Sequence, residues 1–223
     1  MLANTIRVRV FAGAAPVGAI LLTLSAILGI TGAAGQPRPV PTERVSVTQR
    51  ATLVEEDPAD PEGKRYFGSA VWRTETVTET GAMPKLAVRC DVEFPARQLA
   101  MTWLMHRNTD PVFPASHTVK IVFQLPVDPA YGGISRLAAM RMRQYEQSLG
   151  VALAAHVHAA AGSFLVGLSS IEPEQERNLL LLKGGSWFDI AMVYGTGRRA
   201  IIAVEKGGPG ERAFRDAFAA WGR

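Results

Sequence analysis

LAVRCDVEFPARQLAMTWLM, residues 86–105, alternates apolar and polar side chains in two runs, broken at Pro95. In the first run Leu86, Val88, Cys90, Val92 and Phe94 leave the chain on one side, and Ala87, Arg89, Asp91 and Glu93 on the other. Leu99, Met101, Trp103 and Met105 repeat the pattern in the second. A period of two marks a half-buried strand, because successive side chains of a strand point to opposite faces. A few turn residues between two such strands suffice for an antiparallel pair, whereas a parallel pair needs a long crossover.

Working outward, Val119, Ile121, Phe123 and Leu125 carry the same period up to Pro126. Upstream, Val45 and Val47 open a strand that runs to about Val54, and residues 66–77, with Trp72, form another. Between them lies EEDPADPEG, residues 55–63, which reads as a turn-rich acidic loop. Five strands in series with short connections predict an antiparallel sheet. Further on, Ser135 is placed to cap a helix reaching Leu149 and closed by Gly150, with Leu137, Met140, Tyr145 and Leu149 as its stripe. Residues 151–170 read as two strands broken near Gly162, with an Ala-rich helix followed by a strand as the alternative.

The C-terminal third is punctuated more clearly. Ser169-Ser170-Ile171-Glu172 matches a capping box, with a helix continuing to Lys183 and stopped by Gly184 and Gly185. Residues 187–194, the turn Gly195-Thr196-Gly197 and residues 198–205 form a hairpin. A last helix starts near Pro209 and puts Phe214, Phe218 and Trp221 on one face. Burying three aromatic side chains is worth about 5–8 kcal/mol in area terms, so this helix is expected to dock on the sheet.

The N-terminus is of another kind. Residues 10–35 carry no charge, follow Arg7 and Arg9, and are dense in Leu, Ile and Ala from Ala19 to Ile30. About 20 apolar helical residues cross a hydrocarbon core, and basic residues stay on the cytoplasmic side. A membrane anchor and a cleaved signal peptide, with its small-residue exit at Ala34 or Gly35, share these features. Either one places the remainder in the periplasm. QPRPVP, residues 36–41, then reads as a stiff extended spacer, so the chain divides into a signal or anchor (1–35), a Pro-rich spacer (36–44) and one exported β-rich domain (45–223).

The formal charge is +4 and the pI about 9.5, but Arg7 and Arg9 belong to the targeting segment. They are two of the 24 basic residues, so residues 36–223 hold 22 Lys and Arg against 20 Asp and Glu. Interspersed signs at near balance exclude a nucleic-acid surface. Cys90 is the only cysteine, which rules out an internal disulfide and, at a core position, predicts an inert buried thiol.

Few residues point to chemistry. His156-Val157-His158 puts two imidazoles on one face of a strand, the start of a zinc or copper site that needs three or four ligands. His106 and His117 are not spaced to join them. Five carboxylates between Glu55 and Glu62 match no EF-hand spacing and read as a solvated loop. Ser116-His117, adjacent in a strand, point opposite ways and form no nucleophile–base pair. Ser163 lacks the second glycine of a nucleophile elbow, and Asp91 with Glu93 reads as an ordinary solvent-side pair. Gly207-Gly208-Pro209-Gly210 lacks the Lys-Ser/Thr of a phosphate loop and reads as a helix entry. Arg136, Arg141 and Arg143 give the 135–149 helix a basic side, read as a solvated face.

Four blocks carry a resemblance: EEDPADPEGKRYFGSAVWRTETV (55–77), HRNTDPVFPASHTVKIVF (106–123), SFLVGLS (163–169) and LLKGGSWFDIAMVYGTGRRAIIAVEKGGPGERAFRDAFAAW (181–221). Through them the chain resembles uncharacterised envelope proteins of alphaproteobacteria, which have an N-terminal membrane segment, a Pro-rich spacer and one C-terminal domain. That resemblance implies no activity. A weaker similarity is to the invasion-associated locus B family, exported β proteins implicated in host-cell contact. Their closing Gly-Phe-x-x-Ala helix is approximated by Glu211-Arg212-Ala213-Phe214 to Ala217, and their cysteine pairs are absent.

The expected fold is mainly β, of α+β type: an antiparallel sheet or sandwich-like domain with two or three peripheral helices behind an N-terminal membrane or signal helix. The expected function is a membrane-tethered or secreted periplasmic module that binds an envelope protein or component, with no catalytic residue and no cofactor assigned. A metal-dependent or hydrolytic envelope enzyme using His156 and His158 is the alternative.

Overall fold

The alternation around Pro95 becomes two long neighbouring strands at the middle of one antiparallel sheet. A computed structural model describes residues 47–78, 83–127, 132–160 and 163–223. The expected anchor or signal (10–35) and the Pro-rich spacer lie outside the described residues.

Eleven strands follow in chain order: β1 (Gln49–Asp57), β2 (Asp60–Val77), β3 (Lys85–Phe94), β4 (Leu99–Arg107), β5 (Ala115–Gln124), β6 (Ile134–Arg143), β7 (Val151–Ala152), β8 (Ala155–Ala160), β9 (Ser163–Ser169), β10 (Trp187–Tyr194) and β11 (Arg199–Glu205). Helix α1 (Glu172–Gly184) separates β9 from β10, and α2 (Gly207–Ala220) ends the chain. All eleven strands join one sheet in the order β7-β6-β10-β11-β1-β2-β3-β4-β5-β9-β8, and every pairing is antiparallel.

The sheet curls over on itself. In a flat sheet β4 and β10, five strands apart, would be about 24 Å from one another. Instead the rings of Trp103 (β4) and Phe188 (β10) meet edge to face at 5.3 Å. Trp72, Trp103 and Phe214 complete this aromatic centre, with centroids 5.6–5.8 Å apart. Phe214, Phe218 and Trp221 are all buried, so α2 docks through the face predicted for it. The Trp72 indole N–H donates to Glu205 O, and the Trp221 N–H to Leu86 O. Cys90 sits in this core at 1% exposure, and burial pushes its thiol pKa well up. It is therefore expected to resist maleimide in the folded protein and to label fully only in denaturant. Prompt labelling of the native protein would contradict this placement.

β7 and β8 lie at opposite edges of the sheet and are consecutive in the chain. Leu153 N–H donates to Met140 O on the β6 side, and Ser169 N–H donates to Ala154 O on the β9 side, so two residues carry the chain from one edge to the other. Asn178 of α1 seals this crossing. Its Oδ1 accepts from Ala154 N–H at 2.9 Å and its Nδ2 donates to Ala154 O at 2.8 Å. Arg177 Nη2 adds a bond to Ala152 O.

Three sequence expectations need correction. Residues 135–149 do not form a helix: 134–143 are β6, followed by turns. Pairing with β10 jumps from Ala191↔Ala139 to Met192↔Leu137, leaving Ala138 as an extra residue. This β-bulge turns Leu137 and Met140 to the same inner face, and their three-residue spacing imitates a helix. The acidic loop at 55–63 is mostly strand, because β1 and β2 stay paired up to Asp57↔Asp60 and only Pro58-Ala59 turn. Asp57 Oδ1 accepts from Ala59 N–H and Asp60 Oδ1 from Glu62 N–H, the short side-chain turns that allow so tight a hairpin. The capping box does not form either. Ile171 occupies the cap position of α1 without a side-chain bond, and Ser169 Oγ accepts from Ile171 N–H one step too early. The fold class is as expected: mainly β, one antiparallel sheet that curls over on itself, with two α-helices among the described residues.

The hairpin at 187–205 appears within one residue of its expected limits, and the strand reading of residues 151–170 holds at 151–152, 155–160 and 163–169, as β7, β8 and β9.

Candidate functional site

β8 is the longer of the two edge strands, its outer edge is unpaired among the described residues, and residues 156–159 are exposed. It pairs only with β9, in the register His156↔Gly167 and His158↔Leu165. Phe164, Val166 and Leu168 of β9 are buried inward, so His156 and His158 project from the outer face. Residues 155–160 form a strand because α1 and the crossing at Leu153-Ala154 hold their entry. From there the Ala- and Val-rich chain extends along β9.

Both imidazoles are exposed, and neither makes a hydrogen bond or ion pair among the described residues. They border a hollow of about 400 Å³ lined by Phe113, Pro114, His156, Val157, His158 and Gly167. Phe113 packs against Gly167, where a Cβ would come within 2.7 Å of its ring, and stands edge-on to His158 at 5.4 Å. Among the described residues no third polar side chain lines this hollow. No group of three or more His, Cys, Asp or Glu side chains is placed to hold a metal among the described residues. His106 shares the outer face through the row His106↔Thr118↔Gly167↔His156, which puts it three strands, or about 14 Å, from His156.

The remaining candidates serve the fold. Ser116 and His117 do touch, contrary to expectation, with Nδ1 and Oγ 3.3 Å apart. A register shift between Ala115 and His117 brings the hydroxyl to the imidazole side. The pair is not a nucleophile and its base. Ser116 Oγ donates to Leu168 O, while His117 is 2% exposed and packs at a tilt against the Trp221 ring, centroids 5.0 Å apart. Burial, aided by Arg223, Arg107 and His106, lowers the His117 pKa to about 4. A neutral ring then donates through Nδ1–H to Ser116, and Nε2 is left buried without a partner.

The five carboxylates of residues 55–62 diverge. Glu55 turns inward, accepts a 2.7 Å bond from the Tyr194 hydroxyl and pairs with Arg97, which lies over the Tyr66 ring. Glu56 pairs with Arg199, whose side-chain and backbone bonds lower its pKa to about 2. Asp57 pairs with Lys64. Asp91 belongs to an outer-face cluster with Arg73, Arg89, Glu75 and Thr102. Burial works against its ionisation, but bonds from Arg89, Thr102 and Arg73 outweigh it and hold the pKa below the usual value. Arg136, Arg141 and Arg143 keep a common side, now as the outer face of β6. Arg143 pairs with Asp189 at 2.8 Å and lies over Trp187, whose ring also receives Arg50.

Sequence reasoning passed over Lys206. It is fully buried at the entry of α2, and its ammonium donates at 2.8 Å to Leu182 O and to Gly185 O while facing the Phe214 ring at 4.6 Å. Burial lowers its pKa to about 8. The two carbonyls close the C-terminus of α1, so this cation caps one helix from the start of the other. The glycine run after it is a helix entry, and Gly207, at φ +52, sits in the left-handed region that favours glycine, where a Cβ would also displace the Gln49 side chain. Only the contrast of one lysine between an apolar strand and a Gly-rich turn marked it in the sequence.

Comparison of the chain with protein-family models, with curated proteins and with solved structures finds no match.

Proposed function

We propose that the protein is a non-catalytic module of the cell envelope, tethered by its apolar N-terminus or released from it, that binds a protein segment along the open edge of β8. The observation that carries this reading is the character of that edge. Natural edge strands are blunted by lysine, proline or inward charges against stray pairing. Residues 150–171 contain no Asp, Glu, Lys, Arg or Pro, and β8 runs through them with one side unpaired. An added strand gains main-chain hydrogen bonds there, and alternate side chains set its specificity. The absence of a third polar group beside His156 and His158 among the described residues counts against the hydrolytic alternative.

A photo-crosslinking residue at position 159, exposed on β8, tests this in cells making the full chain. It is expected to give a discrete adduct, and the same residue at Arg215, exposed on α2, is expected to give none. The adduct should disappear with Val157→Pro, which removes a backbone donor from the open edge. Equal labelling from both positions, or none from 159, would sink the β8 reading. A reporter fused to the C-terminus and found in the cytoplasm would sink the envelope assignment.

A further inference from the structure

We propose that β8 pairs antiparallel with β8 of a second copy of this chain, and that His156 and His158 of both copies together take one zinc-class cation. The inference rests on the reading of β8 as a docking edge and names what docks there.

The backbone dictates which residues meet. Ser169 N–H donates to Ala154 O, so Ala154 turns its backbone carbonyl to β9 and takes the phase of a hydrogen-bonded position, its N–H being held by Asn178. In an antiparallel ladder such positions alternate, so His156 and His158 direct their backbone groups to β9. Ala155, Val157 and Ala159 direct theirs to the open side. A twofold axis at Val157 lets Val157 of each copy exchange both backbone bonds, with Ala155 opposite Ala159. His156 then lies opposite His158 of the second copy in non-hydrogen-bonded pairs, the closer kind, with Cα atoms about 4.5 Å apart. The segment AHVHAA, residues 155–160, brings no charge or proline to oppose this register.

The side chains fit what the backbone arranges. Two residues along a strand are separated by about 6.8 Å, so four Cβ atoms mark a rectangle whose centre is about 4 Å from each. An imidazole reaching about 3 Å beyond Cβ, plus a metal–nitrogen bond of about 2.0–2.1 Å, covers that distance with the ion lifted above the sheet. Four neutral nitrogens suit zinc, nickel or copper and not calcium or magnesium. One chain offers two of them and, among the described residues, no third. Phe113, held against Gly167, walls the site beside His158 and restricts that ring's rotation.

The test is sedimentation velocity with metal analysis on the full chain in detergent, stripped with EDTA and titrated with zinc chloride. The expected result is a doubling of mass saturating at one zinc per two chains, with nitrogen-only coordination by X-ray absorption. His156→Ala with His158→Ala is expected to abolish the zinc-dependent doubling and weaken uptake at least 100-fold. Val157→Pro keeps both imidazoles and is expected to leave weak binding without the doubling. Zinc bound one per chain without a mass change, no uptake, or doubling that survives the double alanine change would each overturn the proposal. A crosslink from position 159 to a different protein, with no zinc-dependent dimer, overturns it while leaving the β8 reading intact; no crosslink at all removes both.

Discussion

Replacing Asn178 with leucine is expected to destabilise the protein by about 2–4 kcal/mol. Asn178 is 1% exposed and supplies both an acceptor and a donor to Ala154, where the chain crosses between the sheet edges. Leucine has similar bulk, so the loss is one of hydrogen bonding and not of volume. Ala154 O keeps its bond from Ser169 N–H, but Ala154 N–H, part-buried under α1, has no other partner among the described residues. An unpaired buried donor carries its full desolvation cost, and β7 and β8 lose their attachment to α1. For a domain of this size the melting temperature should fall by roughly 5–15 °C. Hydrogen exchange should speed up first in residues 151–160. Asn178→Asp should not rescue, because a carboxylate has no donor for Ala154 O. A change below 0.5 kcal/mol in urea unfolding would show that Asn178 does not hold the crossing.

Acidification from pH 6.5 to pH 4 is expected to cost about 3 kcal/mol through His117 alone. Its pKa is lowered from 6.5 to about 4 in the folded protein, burial being the largest cause. Both states are neutral above pH 6.5, so the contribution there is complete. As the pH falls, the unfolded chain takes up the proton first, and stability is lost until the folded ring also titrates near pH 4. A tenfold change in proton affinity corresponds to about 1.4 kcal/mol, which sets the size. Phe at position 117 keeps a ring against Trp221 and Phe218, needs no partner for Nε2, and leaves Ser116 its bond to Leu168 O. His117→Phe should therefore match the parent near pH 7 and exceed it near pH 4.5. Equal losses in urea midpoint for the two proteins would rule out His117 as the acid-sensitive group. Carboxylates common to both chains cancel in the comparison.

How far such sites are legible in a sequence depends on the range of the interaction. The strands at 86–105, the hairpin at 187–205 and the aromatic face of α2 rest on periodicity and turn residues within one element. The structure agrees with each to within a few residues. The Ser116–His117 contact and the strand at 134–143 were misread because both contain a β-bulge. One inserted residue shifts the face of everything after it, and only the neighbouring strand reveals the insertion. The acidic hairpin was misread because turn residues dominate its composition, yet two aspartate side chains close it within two residues. Lys206 was invisible because a lysine is normally solvated. Its burial depends on carbonyls 21 and 24 residues away.

The sequence by itself determined the broad character of this protein: an apolar N-terminal segment, a Pro-rich stretch, and a chain of half-buried strands whose single cysteine leaves stability to packing. It also determined that His156 and His158 share a face if their segment is extended, since that follows from backbone geometry alone. Tertiary structure decided the rest. The sheet order and its curl set which strands lie at the edges, and the crossing at Leu153-Ala154 carries the chain from β7 at one edge to β8 at the other. Exposure and pairing are properties of what lies opposite a residue across the sheet, and local sequence carries no record of that neighbour.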